Sequence, residues 1–384
     1  MNDSNDLHLG AIQKITIRGF KSIRDSELEL RNLNVIIGAN GAGKSNFIQV
    51  FRMLTAMTIG KNLPGFVGTN GGANSFLHNG EITPEICLCF EFKSRQDGTN
   101  AYQATLRPTV DDKFLLSEFR KYGDFSWTSF GSPCEKSRLA FQKDEHLPLF
   151  DGPDRGCLVY DTISRWMVYH FHDTNTIPPF IAPMRQARMV EDYHDGLRLD
   201  ASNIAPFLRM LREDSPTEYA AIVNAIRLVL PFFDDFRLDI LGFRGEEQKV
   251  KLSWRQKGLD IPMQPYHLSD GSMRFICLAT ALLQPNPPSA IIIDEPELGL
   301  HPIAIAILAE LIQAAAKRTQ IIVATQSPAL IDLFGIEDVI VAKREDGTST
   351  FKRLNPEDFS VWLKDYSVGE LWTKNVIEGG PTYE

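Results

Sequence analysis

Apolar runs long enough to cross a bilayer are missing from this 384-residue sequence, where no stretch approaches the ~20 residues that a membrane helix needs. The opening, Met1-Asn2-Asp3-Ser4-Asn5-Asp6, has neither the basic nor the apolar region of a signal peptide. Cysteine is scarce. Cys87, Cys89, Cys134, Cys157 and Cys277 are odd in number and form no CxxC pair, which argues against a zinc or disulfide framework and suits a reducing compartment. A cytoplasmic protein with no membrane partner is expected. Excess positive charge is also absent: 40 basic against 49 acidic side chains leave −9, so the surface should not coat nucleic acid indiscriminately, although a local basic groove remains open. Internal repeats and low-complexity tracts are lacking as well.

What is present begins with Val35-Ile36-Ile37-Gly38-Ala39-Asn40-Gly41-Ala42-Gly43-Lys44-Ser45, an apolar strand running into a glycine loop. The pattern GxxxxGK[ST] describes a phosphate cradle. Its glycines let backbone N–H groups converge on phosphate, Lys44 reaches the β/γ oxygens and the Ser45 hydroxyl sits on Mg²⁺. Phe47, Ile48, Phe51 and Leu54 then recur at helical spacing, so the loop has the helix after it that the mechanism requires. The bland alternative is a glycine-rich turn.

A second feature is Ala290-Ile291-Ile292-Ile293-Asp294-Glu295-Pro296, which reads as a fully buried parallel strand ending in two acids. Asp294 can hold the Mg²⁺ water shell, and Glu295 can orient or deprotonate the water that attacks a γ-phosphate. Leu268-Ser269-Asp270-Gly271-Ser272-Met273-Arg274 is the third, opening a helix whose apolar positions continue through Leu283. A capped core helix is the simpler reading of this motif alone, since Ser269 sits at an N-cap position; an anion site at the helix N-terminus is the other.

Between these motifs the pattern predicts strands over residues 12–18 and 26–30, and an irregular surface loop over 60–80. A hairpin spans 84–92 and 101–107 around Asp97-Gly98, in a meander that reaches about Gly131. Residues 131–155 read as an insertion. Residues 163–171 could be helix or strand, and helices are expected over 203–212 and 216–230 as a short arm. Strand character returns over 236–241 and 249–254, and later over 339–342, before the Asp346-Gly347 turn and a helical tail. The expected division is 1–130, an N-terminal lobe with the phosphate loop; 131–235, the insertion and helical arm; and 236–384, a C-terminal lobe with the other motifs.

In this order the three motifs resemble the ATP-binding-cassette type of ATPase head, in the branch containing RecF, SMC proteins and the overcoming-lysogenization-defect family. Stand-alone bacterial AAA/OLD-like ATPases are the nearest likeness. Ile15-Thr16-Ile17-Arg18-Gly19-Phe20-Lys21-Ser22-Ile23 looks like the first strand and turn of such heads, LSDGSMR like their signature motif, and Asp294-Glu295-Pro296-Glu297-Leu298-Gly299-Leu300-His301-Pro302 like their extended Walker B and D-loop. The resemblance implies an α/β P-loop NTPase with a central, mostly parallel sheet, a β-rich N-terminal lobe and a short helical arm. It also implies ATP and Mg²⁺ as cofactors. Nucleotide would be bound by Gly38, Ala39, Asn40, Gly41, Ala42, Gly43, Lys44, Ser45 and Asn46, and metal by Ser45 and Asp294, with Glu295, Lys44 and Gln326 catalytic. Such heads act as homodimers, so Ser269 and Gly271 of one copy would contact the γ-phosphate held by the other, with His301 near the seam. Gln326, in Ile321-Ile322-Val323-Ala324-Thr325-Gln326-Ser327-Pro328, stands where many relatives have histidine; it can bond a phosphate oxygen but cannot change charge near neutral pH. Gln186 is a weak candidate for the Q-loop residue.

The implied activity is nucleotide-gated ATP hydrolysis in DNA-related or phage-defence processes. The alternative is an ATP-dependent scaffold that restrains a separately encoded effector protein such as a nuclease; direct DNA binding is a third reading. About 250 residues, with prolines throughout, separate the Walker motifs, too few for an SMC coiled coil. The tail after Walker B leaves no expectation of an appended nuclease domain. His170-Phe171-His172-Asp173 could ligate metal on a strand but lacks a third ligand. Arg120-Lys121-Tyr122 with Trp127 and Phe130 could stack on bases, or form an ordinary strand face.

Overall fold

The computed structural model describes residues 8, 10–58, 62–94, 99–139, 157–169, 187–188, 196–241 and 249–379. In chain order the elements are β1 (Ile12–Phe20), β2 (Ile23–Glu29), β3 (Leu33–Ile37), α1 (Lys44–Thr58), α2 (Leu63–Thr69), β4 (Ile86–Phe92), β5 (Asn100–Pro108), β6 (Phe114–Lys121), β7 (Thr128–Ser129), α3 (Cys157–Ser164) and β8 (Trp166–Tyr169). Then follow β9 (Ala187–Arg188), α4 (Ile204–Asp214), α5 (Pro216–Val229), β10 (Phe233–Leu241), β11 (Lys249–Gln256), α6 (Asp270–Leu283), β12 (Ala290–Asp294), α7 (Pro302–Ala316), β13 (Gln320–Thr325), α8 (Pro328–Ile331), β14 (Val339–Glu345), β15 (Thr348–Arg353) and α9 (Val368–Thr373). The chain forms two compact units, one of Met1–Val168, Ser289–Asp294 and Thr319–Glu384, the other of Tyr169–Pro288 and Glu295–Arg318.

The first unit is built on two six-stranded sheets, ordered β2-β1-β4-β5-β6-β7 and β15-β14-β3-β13-β12-β8. Alternation makes the first antiparallel, with Ile17 opposite Ser26 on one side and Leu88 on the other. Unbroken apolar runs make the core of the second parallel: β14, β3, β13 and β12 share one direction, and Ile36 lies level with Ala324, which lies level with Asp294. The carboxyl ends of β3, β13 and β12 therefore open on one side, where parallel sheets carry their functional groups.

Helix α1 joins the sheets. Its spacing suggested one apolar face, yet Val50, Met53 and Met57 are as fully buried as Phe47, Phe51 and Leu54. The reason is its position. Phe51 packs 6.0 Å from Phe90 of one sheet and 5.3 Å from Trp166 of the other, and Phe47 lies 5.2 Å from Phe351 of β15. Covered by both sheets, the helix has a wide apolar face, and the stripe through Ser45, Gln49, Arg52 and Ala56 lies outside it. Burying each phenylalanine is worth roughly 1.5–3 kcal/mol.

Gln320 ties the sheets together at their far ends. Its carboxamide, fully buried, accepts from the Ile12 N–H at 2.9 Å and donates to the carbonyls of Ile12 at 2.8 Å and Arg31 at 3.0 Å. A buried amide is tolerated because its bonding groups are occupied.

Part of residues 60–80 departs from the expected surface loop. Asn62 caps α2 by accepting from the Gly65 N–H at 3.0 Å, and Leu63, Val67, Ala73 and Phe76 enter the core. Glycine frequency misled because Gly71 and Gly72 only break the segment, at φ 93° and 82°, while the apolar residues between the glycines pack. The ambiguous stretch at 163–171 is both things in turn: helix α3 ends at Ser164 and strand β8 starts at Trp166.

In the second unit, α4 and α5 are the expected helices, and α5 packs against α6 and α7. Sheet β10-β11-β9 is antiparallel, with Leu238 opposite Leu252 and Asp235 opposite Arg255.

Candidate nucleotide site

Strand β3 ends at Ile37, and the six residues 38–43 form the loop that leads into α1. Gly41 and Gly43 take φ of 77° and 107°, conformations that favour glycine. Gly43 has a second constraint, since a Cβ there would lie 2.3 Å from Ser349 Oγ and 3.1 Å from Ser22 Oγ. Lys44 is buried, and its Nζ turns back into the loop to donate to the Gly38 carbonyl at 2.6 Å and the Ala39 carbonyl at 3.1 Å. Asn40, Gly41 and Ser45 are exposed.

Asn46 is tied to the β1–β2 turn. Its amide donates to Ser22 Oγ at 2.7 Å, and Ser22 also receives the Ser349 hydroxyl at 2.7 Å. Ser22 and Ser349 are therefore a support that sequence reasoning missed, fixing α1 to the β1–β2 turn and to β15. Behind the loop, the Ala39 N–H donates to the Gly379 carbonyl at 3.1 Å. Arg344, also missed, reaches over its apex, with Nη1 3.4 Å from the Gly41 carbonyl. No local pattern could have signalled these contacts, which join residues some 300 positions apart.

Register places two further expected residues in this unit. Asp294, 8% exposed, ends β12, one strand beyond β13. Gln326 leaves β13 beside the point where Gly38 leaves β3, because Thr325 is level with Ile37. Glu295, next after Asp294, begins a segment of the second unit and has a φ of 45°. A left-handed glutamate at the end of a strand is strained, and strain of this kind concentrates at functional positions.

The remaining motif residues lie in the second unit. Ser269 caps α6, accepting from the Ser272 N–H at 3.2 Å, with its Oγ 2.9 Å from Ser272 Oγ. Gly271 is helical and buried: a Cβ there would lie 2.1 Å from the Gly299 carbonyl oxygen. The glycine permits close approach of the backbone of the loop after β12, and Arg274 fastens that approach by donating from Nη1 to the Leu298 carbonyl at 2.7 Å. His301 caps α7, its Nδ1 accepting from the Ile303 N–H at 3.3 Å.

Gln186 and residues 170–173 lie outside the described residues. Among the described residues no group of three or more His, Cys, Asp or Glu could hold a metal, and no helix is long and apolar enough to cross a membrane. Arg120 lies over the rings of Tyr122 and Phe130, at 5.6 and 5.3 Å, and both rings pack against the core. That is strand-face packing.

Residues 33–332 match the family model described as "AAA domain, putative AbiEii toxin, Type IV TA system". No curated protein matches the sequence. Among solved structures, an SMC head bound to the C-terminal winged-helix domain of ScpA superposes with a TM-score of 0.61 at 15% identity, covering 91% of this chain and 99% of that one. An SMC head with an extended coiled coil, bound to the C-terminal domain of ScpA derived from Pyrococcus furiosus, gives 0.53 at 14%, covering 93% and 99%. At such identities the likeness is one of fold, that of an SMC-type ATPase head.

Proposed function

The chain belongs to this AAA-domain family, and we propose that it is a Mg-ATP-hydrolysing head of the ABC type that works as a nucleotide-gated homodimer. The observation that carries the proposal is the loop before α1: two glycines at positive φ, a lysine amine folded onto loop carbonyls, and an exposed serine at the helix start. This arrangement fits a polyphosphate, because the positive end of the α1 dipole lies where the Lys44 amine is held. Two loop carbonyls are weak partners for an ammonium group, so Lys44 has a reason to transfer its bonds to phosphate oxygens.

Ser45 Oγ and Asp294 would hold Mg²⁺, whose charge stabilises the transferring phosphoryl group when bound. Glu295 would accept a proton from the attacking water, and Gln326 would orient that water or a phosphate oxygen through its amide. Ser269 of the second copy would donate to phosphate. In this reading Gly271 acts indirectly, by letting α6 rest on Gly299.

Steady-state phosphate release and nucleotide binding test the proposal. Glu295→Gln should lower turnover at least about a hundredfold while retaining ATP and accumulating dimer. Turnover by that variant at the wild-type rate would remove the assignment. Negligible wild-type turnover, together with ATP-dependent capture of an effector protein, would favour the scaffold reading; a salt-sensitive, ATP-dependent shift of duplex DNA would favour a role on DNA.

A further inference from the structure

Strand β10 is an edge. In its sheet it pairs with β11 alone, and among the described residues no strand lies on its other side. The direction of its backbone groups follows from β11. Trp254 gives its N–H and C=O to Met263, at 3.0 and 2.8 Å, so Phe236, opposite Trp254, is not hydrogen-bonded to β11. With a period of two, Phe236, Leu238 and Ile240 all turn their N–H and C=O groups outward. Two contacts agree: the Leu238 carbonyl accepts from Arg209 Nη1 at 3.0 Å, and the Phe236 N–H donates to Asp235 Oδ1 at 2.8 Å. Beside this edge runs an open groove of about 560 Å³, lined by residues 235–240 with Arg209, Arg212 and Arg255.

The Leu238 carbonyl and the Phe236 N–H are held by side chains, which a second strand can displace, and the sequence of this edge specifies which strand. In Phe236-Arg237-Leu238-Asp239-Ile240, Arg237 and Asp239 flank Leu238 and are both exposed, 2.7 Å apart. When two copies pair antiparallel about a two-fold axis at Leu238, Arg237 of each faces Asp239 of the other, and Phe236 faces Ile240. The strand is thus complementary to itself in both charge and apolar character. We propose that β10 pairs with β10 of a second copy, extending β10-β11-β9 into a continuous six-stranded sheet. This isologous contact uses none of the residues that would hold nucleotide, and it forms without ATP.

Native mass measurements on full-length protein without nucleotide, in a Lys44→Ala background, test it. The parent should be dimeric. Arg237→Asp sets Asp against Asp, and Asp239→Arg sets Arg against Arg, so each alone should weaken association by on the order of tenfold to a hundredfold, two cross-strand pairs changing sign. Mixing the two variants restores both pairs, as does the double variant R237D/D239R, and both preparations should recover the dimer. Ile240→Pro provides a second route, since it removes an outward N–H without touching the β11 ladder and should also give monomer. A monomeric parent, single variants that associate like the parent, or a mixture that stays monomeric would overturn the proposal; each result is independent of whether ATP is hydrolysed.

Discussion

Two helix starts in this protein carry a glycine next to a polar residue, and they use it in opposite ways. At α1, Gly43 is needed for its backbone, held at φ 107° in a niche made by Ser22 and Ser349. At α6, Gly271 has ordinary helical geometry and is needed for its missing side chain, whose place is filled by the Gly299 carbonyl. One glycine shapes a loop, while the other brings two backbones into contact. A motif read as an anion site can therefore hold a residue whose immediate work is packing.

Substitution by alanine separates the two uses. Gly43→Ala combines a forbidden φ with a collision and should cost most, roughly 3–5 kcal/mol by denaturant titration, with loss of nucleotide binding. Gly271→Ala meets only the collision, partly offset by better helix propensity, and should cost about 1–3 kcal/mol. Its signature is that nucleotide still binds while turnover falls, because Ser269 and the Glu295 loop lose their common seat. At Gly41 the φ is 77° and no atom lies within 4 Å, so Gly41→Ala isolates the backbone contribution at about 1–2 kcal/mol. A smaller effect tests the unit away from both helices. Burial, with Glu337 nearby, raises the Asp338 carboxyl to about 6 from 3.8. The folded protein thus binds this proton more tightly than the unfolded chain, so its contribution is full below about pH 4 and lost as pH rises through 6. Asp338→Asn should raise the melting temperature at pH 8, with the gain vanishing near pH 4.

Strands β3, β12 and β13 and the start of α1 were legible because each is an apolar run ending in a chemically distinctive residue. Ser45, Asp294 and Gln326 could be placed at the ends of adjacent strands or a loop for the same reason. What escaped reading came from tertiary context. The burial of Met53 and Met57 required two sheets, and the joints made by Gln320 and Ser22 link stretches with no local signal. Gly271 shows a subtler loss: the residue was recognised, but the carbonyl that fills its space lies 28 positions later in the sequence, at Gly299. The left-handed glutamate was equally invisible, since nothing in Asp-Glu-Pro announces a φ of 45° at Glu295.

The supports of the phosphate loop have a consequence for synthesis. Ser22 meets Ser349 across 327 positions, and the Ala39 N–H waits for the carbonyl of Gly379. The loop leaves the ribosome more than 300 residues ahead of this bracing. A nascent chain thus carries the whole glycine-lysine motif in its sequence long before it has the residues that hold that motif in shape.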